Sequence, residues 1–352
     1  MSQITVDFIS PGILWDDLIR TFNNIGSADI YFDSTYISLY TNPEFKEIAE
    51  AFLFKSGKDI FFFPYIKKQI PDSGGLWDFE TVYGYSGPLS TTQDISFLED
   101  AWNHFFKIAK EIRLIAGFVR FNPLLNNERY CRTNQIIISP ERKTVWLDCS
   151  RGIDDILSDY SRKHLKQIRS LESQGVYVQS SNSLKFINEF RKIYLNRMKT
   201  IGAQDIYHYD KDYFKKINSM SKENWLIHLA FTPAGEIMGG CLLLKWNETI
   251  HYHLSGSYSD FLKYKPNDIL RHHVVKDSVE KGIKRVHFGG GRNNEPDDSL
   301  LKFKMKFSKQ TFQFNVGHCI VDREKYSNLC KDWEIKFPEK EQYKNFFLKY
   351  RF

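Results

Sequence analysis

Cysteine is scarce and scattered. The 352 residues hold five, at Cys131, Cys149, Cys241, Cys319 and Cys330, with no CxxC pair. An odd, widely spaced set argues against a disulfide framework and a thiolate zinc site, and it points to a reduced, cytoplasmic setting. Long apolar runs are missing too. Stretches such as IFFFPYI (Ile60 to Ile66) are far short of the ~20 residues a bilayer requires, so no transmembrane segment is expected. Residues 1–20 carry Asp7, Asp16 and Asp17 and lack a basic n-region, so no signal peptide is expected. Neither sign of charge dominates: 49 basic residues face 43 acidic ones, a net charge of +6. That mild excess suits a small anionic substrate or a phosphate-bearing cofactor. It does not supply the concentrated basic face of a DNA-binding protein, so no DNA partner is expected.

What the chain has in abundance is aromatic residues, 16% of the total with 29 Phe and 19 Tyr, inside an apolar fraction of 42%. Large cores and ring-lined clefts follow. Length alone suggests two domains of about 150 residues. The first 145 or so residues read as mixed α/β. Asp29 to Tyr40 (DIYFDSTYISLY) reads as a strand and then a helix or second strand, and Asp94 caps a helix running to Ile112. From Trp146 the pattern sharpens. Residues 152–174 place Ile153, Ile156, Leu157, Tyr160, His164, Ile168 and Leu171 on one helical stripe. Three strands with tight connections follow between Asn224 and Ser257, then a helix from about Asn267 to Lys281, the strand RVHFGGG, a short helix at DDSLLKFKMKF and a last strand at TFQFNVGHCIV. Three consecutive strands imply an antiparallel meander, and the strand–helix–strand unit implies a parallel pair joined by a crossover.

This order of elements resembles the GNAT acyltransferase fold. The motifs KPNDILRHHVVKDSVEKGIKRVHFGGG and LLKFKMKFS look like the C-terminal signature of the FemAB-like proteins, as does WLDCSRGIDDILSDYSRKHLKQIRSLESQGV upstream. VYGYSGPLS and FVRFNPLL look like the corresponding motifs of that branch's first half, and the resemblance spans most of residues 29–320. It implies an α/β fold of two tandem GNAT-like domains, each a mixed, mostly antiparallel sheet flanked by helices. The expected boundaries are 1–148 for a degenerate first domain shaping the acceptor cleft, 149–321 for the domain with the acyl-CoA groove, and 322–352 for a tail packing back on the first. It also implies an N-acyltransferase that uses coenzyme A as acyl carrier, with the sugar N-acyltransferase branch favoured. A nucleotide-linked amino sugar is the expected acceptor. A monomer or homodimer is expected.

The candidate residues carry this chemistry unevenly. The loop from Gly256 to Asp268 leads into a helix start, where unpaired N–H groups and the positive dipole end favour phosphate. Lys263 and Lys265 add charge, Asn267 or Asp268 reads as the cap, and Ile269 completes the turn. The family's glycine-rich consensus Q/R-x-x-G-x-G/A is absent, so an ordinary capped crossover helix stays open beside the phosphate reading, as does aminoacyl-tRNA as the donor. His251 and His253 sit two apart on a strand, on one face with Ser255 by simple alternation. His253, nearer the loop, is the candidate base, since an imidazole near pKa 6.5 suits proton removal from an ammonium. His251 is a substrate candidate, and structural histidines are the alternative. No third ligand has metal spacing, so no metal is expected. Asn293, in HFGGGRNN, is a candidate for the pantetheine arm, and Lys302 matches the Fem-like FK motif, while Lys304 and Lys306 read as a solvated helix face. The tyrosine that many GNAT enzymes place on this helix is missing, leaving Tyr258 as the candidate acid. Tyr83, Tyr85 and Ser86 in YGYSGPL, with Tyr207 and His208 in IYHYD, are the remaining acceptor candidates. Arg162, Lys163, Lys166 and Arg169 form a basic helix face that reads as solvated, or as a contact for nucleotide phosphate or an anionic membrane.

Overall fold

The computed structural model describes residues 3–204, 207–295 and 297–352. The chain divides into two compact units. The first comprises the chain up to Glu141 together with Phe314–Phe352, and the second is Arg142–Gln313. The chain passes between them inside two strands. No helix among the described residues is long and apolar enough to cross a membrane.

In chain order the first unit contains β1 (Ile4–Ile9), α1 (Ile13–Asn24), α2 (Ser34–Ser38), β2 (Glu47–Ser56), β3 (Asp59–Gln69), β4 (Trp77–Glu80), β5 (Leu89–Ser90), α3 (Ile95–Glu111), β6 (Leu114–Arg120) and the start of β7 (Ile136–Asp148). β1, β2, β3 and β4 pair antiparallel in turn, β4 pairs parallel with β6, and β5 adds to β3. The sheet forms because β2 and β3 are runs of β-prone rings, and their inward rings pack on α3. Phe97, Leu98, Ala101, Trp102, Phe105, Phe106 and Ala109 recur at helical spacing on α3 and are all buried. Asp94 caps this helix, accepting from the Phe97 N–H at 2.8 Å. Edge-on ring pairs build the core: Phe63 lies 5.1 Å from Trp102 and 5.4 Å from Phe105, and the Trp102 Nε1–H donates to the Tyr130 carbonyl at 2.8 Å.

Gly117 on β6 shows how full this core is. A Cβ there would run into the Phe79 ring. Gly117→Ala is expected to cost about 1–3 kcal/mol by overpacking, read as a lower denaturation midpoint.

The Asp29–Tyr40 stretch contains no strand. Asp29 accepts from the Ile30 N–H, and Asp33 from those of Thr35 and Tyr36, so two carboxylate caps turn an aromatic-rich run into a 3-10 turn followed by α2.

The second unit contains α4 (Ile153–Ser158), α5 (Arg162–Ser173), β8 (Tyr177–Ser181), α6 (Leu184–Thr200), α7 (Lys211–Ser219), β9 (Trp225–Phe231), β10 (Ile237–Trp246), β11 (Thr249–Ser257), α8 (Pro266–Glu280), β12 (Arg285–Gly290) and α9 (Ser299–Lys304), and it ends inside β13 (Thr311–Ile320). The single stripe expected over 152–174 is two helices, broken where Ser161 caps α5 through the His164 N–H. β8, β9, β10 and β11 form an antiparallel meander, β11 and β12 are parallel across the α8 crossover, and β12 returns antiparallel to β7. One face buries Val145, Leu147, Leu243, Ile250, Tyr252, Leu270, Val274, Val286, Phe288 and Phe307. The final helix, α10 (Arg323–Lys336), and the C-terminal turns belong to the first unit.

Candidate active site

Two irregularities among the strands of the second unit create the site. The parallel pairing of β11 with β12 has only three rungs, Thr249–Arg285, Ile250–Val286 and His251–His287. Beyond the histidine rung the two strands run on without pairing, which opens a wedge at their carboxyl ends, where ligands collect in such sheets. On the other side of β11 the register against β10 shifts between Leu242–Leu254 and Leu243–Tyr252, so His253 is the extra residue of a β-bulge. The bulge corrects the expectation for Ser255. Alternation reverses beyond the extra residue, so Ser255 pairs with Cys241 on the core face that holds Tyr252.

At the base of the wedge the buried rings of His251 and His287 meet Nδ1 to Nδ1 at 3.4 Å. His253 is half-buried and reaches α7, with its Nε2 2.8 Å from the Tyr213 hydroxyl. Burial, then the nearby His251, pushes the His253 imidazole down to about 3. Tyr213 is held by stacking: its ring lies 4.1 Å from Tyr209, which stacks in turn on Tyr194 at 6.0 Å. Of the IYHYD candidates, Ile206 lies outside the described residues. The Tyr207 carbonyl accepts from the Tyr194 hydroxyl at 2.9 Å, and exposed His208 turns to the Ala203 carbonyl at 3.1 Å. Tyr258, at the end of β11, has its phenol pushed up by burial and then by Glu189.

The start of α8 departs from the expected cap. Lys265 in the left-handed region (φ 45°) is the N-cap, and no side chain caps the helix. Pro266 carries no N–H, and the Asp268 and Ile269 N–H groups both go to the Lys265 carbonyl at 2.9 and 3.3 Å. Asn267 turns its side chain to Ser257 Oγ at 3.4 Å, and Ile269 packs into the core. Asp268 is buried. Burial alone would raise its carboxyl, but His164 at 3.1 Å and then Lys306 at 3.6 Å hold it below the usual range. Lys263 and Lys265 are exposed.

On the β12 side, exposed Asn293 accepts from the Glu295 N–H at 3.1 Å. Lys302 is exposed, whereas Lys304 is buried, which corrects the solvated-face reading for Lys304. Its Nζ donates to the Gly290 carbonyl at 2.7 Å. Burial, then the charge of Arg271, lowers the ammonium to about 7. Sequence reasoning missed Lys304, Arg271 and Tyr213. In KFKMK three lysines alternate with apolar residues, and nothing local marks which one turns inward.

Tyr83, Tyr85 and Ser86 lie in the first unit. Tyr83 packs 5.7 Å from Tyr40, and its carbonyl accepts from the Tyr36 hydroxyl at 2.8 Å. Tyr85 sits edge-on to Tyr31 at 5.5 Å and to Phe314 at 5.1 Å. Gly84 between them takes φ 109°, and the Tyr31 ring fills the place of a Cβ. Ser86 is fully buried. Arg162, Lys163, Lys166 and Arg169 are exposed along α5.

The buried histidines make this unit acid-labile. Burial lowers His272 to about 4, with Lys276 adding to it, and holds His228 and His287 well below 6.5. These groups stay neutral in the fold and take up protons once it opens. Their stability contribution is complete above pH 6.5 and is lost as pH falls toward 3–4. A urea midpoint measured across that range is expected to fall steadily, with little change between pH 7 and 8.

Residues 158–303, all within the second unit, match the family model described as an acetyltransferase (GNAT) domain. Solved structures match over most of the chain. FemX aligns over 92% of this chain and 99% of its own at 13% identity, with a TM-score of 0.71. L-PGS from Bacillus licheniformis aligns over 88% and 92% at 13% identity (TM-score 0.57). A tandem GNAT protein from the clavulanic acid biosynthesis pathway aligns over 91% and 99% at 10% identity (TM-score 0.54). No curated protein matches by sequence. The domain match places a GNAT acetyltransferase domain in the second unit. The chain has a tandem GNAT fold, with the matched acetyltransferase domain in its second unit.

Proposed function

We propose that the protein moves an acyl group from acyl-CoA to the primary amine of a nucleotide-linked amino sugar, for surface polysaccharide synthesis, by direct attack of amine on thioester. The observation that carries this reading is the wedge: β11 and β12 part immediately beyond His251–His287, beside a bulge that presents His253. An acyl carrier lying in the wedge meets strand-end N–H groups able to stabilise the developing oxyanion, and orientation supplies most of the remaining acceleration. His253 receives the proton of the attacking ammonium. Its Nε2 faces Tyr213, so that hydroxyl passes the proton on. Exposed Lys263 and Lys265, with the Asn267 N–H, receive the phosphate end of the carrier, and Lys302 and Asn293 flank its arm. Tyr258 donates to the leaving thiolate. Tyr207, His208 and His251 are the acceptor contacts of the second unit. Chemistry of this kind belongs in the cytoplasm.

A second reading, tRNA-dependent aminoacyl transfer to a peptidoglycan precursor, draws on a specific observation. The α8 N-terminus offers phosphate little: one proline, two amides already bonded, and a buried carboxylate. Charge is also segregated. Twenty-nine basic and nineteen acidic residues fall in Arg142–Gln313, a net of +10, against −4 for the rest. Calorimetry with acetyl-CoA separates the two. Micromolar binding supports the first reading, whereas no heat of binding together with RNase-sensitive activity replaces it with the second.

A further inference from the structure

We propose that Arg271 and Lys304 form an anion subsite that takes a phosphate or carboxylate group of a substrate. The inference goes beyond the acyl transfer and does not depend on which donor or acceptor is correct. Both cations are buried, with 4% and 8% of their surface exposed. Neither has a carboxylate within ion-pair distance among the described residues. The Arg271 guanidinium lies between the rings of Tyr252 (4.2 Å) and Phe303 (4.8 Å), one Nη donates to the Asn267 carbonyl at 3.3 Å, and its buried Nε has no acceptor. Lys304 is fixed on the Gly290 carbonyl at the end of β12, where the wedge opens.

The surroundings supply more positive charge than negative. Arg142 on β7 donates to the Gly291 and Arg292 carbonyls, and its charge also bears on Lys304. Asp298 is the nearest acid, but its oxygens cap α9 through the Leu301 N–H at 2.6 Å and accept from the Arg292 N–H at 3.0 Å. His287, Cys241 and Tyr252 are the other titratable groups facing the pair, and burial holds all three neutral. Two like charges buried without a counter-ion are costly, and a fold retains them where a ligand supplies the missing charge. In the free protein Lys304 sheds its proton near pH 7, and a bound anion restores it.

The test is calorimetric titration of the full chain with sulfate, which does not itself titrate in this range, in two buffers of different ionisation enthalpy. At pH 8 each sulfate is expected to bind with uptake of nearly one proton, and at pH 6 with almost none. A parallel acetate titration distinguishes the sources. Tighter sulfate binding assigns a phosphate group, tighter acetate binding assigns a carboxylate, and either supports the subsite. Lys304→Met is expected to abolish the uptake and weaken binding tenfold or more, and Arg271→Met to weaken it similarly. Both variants should melt no lower than wild type, because each removes an unpaired buried charge. Absence of proton uptake at pH 8, or undiminished anion binding by Lys304→Met, overturns the proposal. So does a lower melting temperature in both methionine variants, which would mark the pair as structural.

Discussion

His253→Ala is expected to lower kcat/KM, by less than the roughly 10²–10⁴-fold of a base matched to the working pH, because an imidazole held to about 3 is a weak acceptor. Tyr213→Phe should lose a comparable factor, because the Tyr213 hydroxyl lies 2.8 Å from Nε2, the nitrogen through which the proton leaves. The pH profile separates this role from a structural one. With the imidazole held to about 3, His253 is neutral throughout pH 5–9. The acid limb of the wild-type rate should therefore follow the substrate ammonium and show no inflection near 6.5. Loss of the base lowers the whole curve without moving that limb. A rate for His253→Ala that matches wild type at every pH removes His253 as the base, and a wild-type inflection at 6.5 that the variant lacks contradicts the depressed imidazole.

Arg351→Ala should cost the first unit about 3–5 kcal/mol of stability. Asp78 is completely buried on β4, and Arg351, one residue from the C-terminus, is its only ion-pair partner among the described residues. The guanidinium binds both carboxylate oxygens and also donates to the Lys68 carbonyl at 2.8 Å. Burial outweighs the arginine's pull and keeps the Asp78 carboxyl above its ordinary value. Stripping one partner from such a pair costs about 3–5 kcal/mol, since the other stays buried and uncompensated. For a unit of this size that corresponds to a melting temperature lower by on the order of 10 °C. Asp78→Leu combined with Arg351→Met should recover most of the loss, because an apolar pair needs no counter-charge. A melting temperature unchanged in Arg351→Ala would show that the C-terminal turns are not seated on β4.

Patterns of local origin were legible in the sequence. The meander, the crossover at α8 and the Asp94 cap follow from periodicity and capping chemistry, and Lys265 to Gly291 carried enough of the pattern to name the fold. What stayed hidden depends on contacts between distant segments. The bulge at His253 is a mismatch between two strands, and no single strand displays it. Lys304 differs from Lys302 only in the direction it faces from a six-residue helix, which the packing of Phe303 and Arg271 decides. Asp29 and Asp33 misled in the other direction. Their neighbours have strand-like composition, but their own carboxylates close turns. Asp268 reads as a cap in sequence and is instead a buried partner of His164, 104 residues away.

The central claim is that the wedge beside His253 is where an amine attacks an acyl thioester. Its most direct measurement is free-thiol release by the full chain from a set of acyl-CoA donors against a panel of nucleotide-linked amino sugars. The account expects at least one pair to release thiol well above hydrolysis, with the acyl group recovered on the sugar nitrogen and the signal lost in His253→Ala. Thiol release no greater than background for every pair would contradict it.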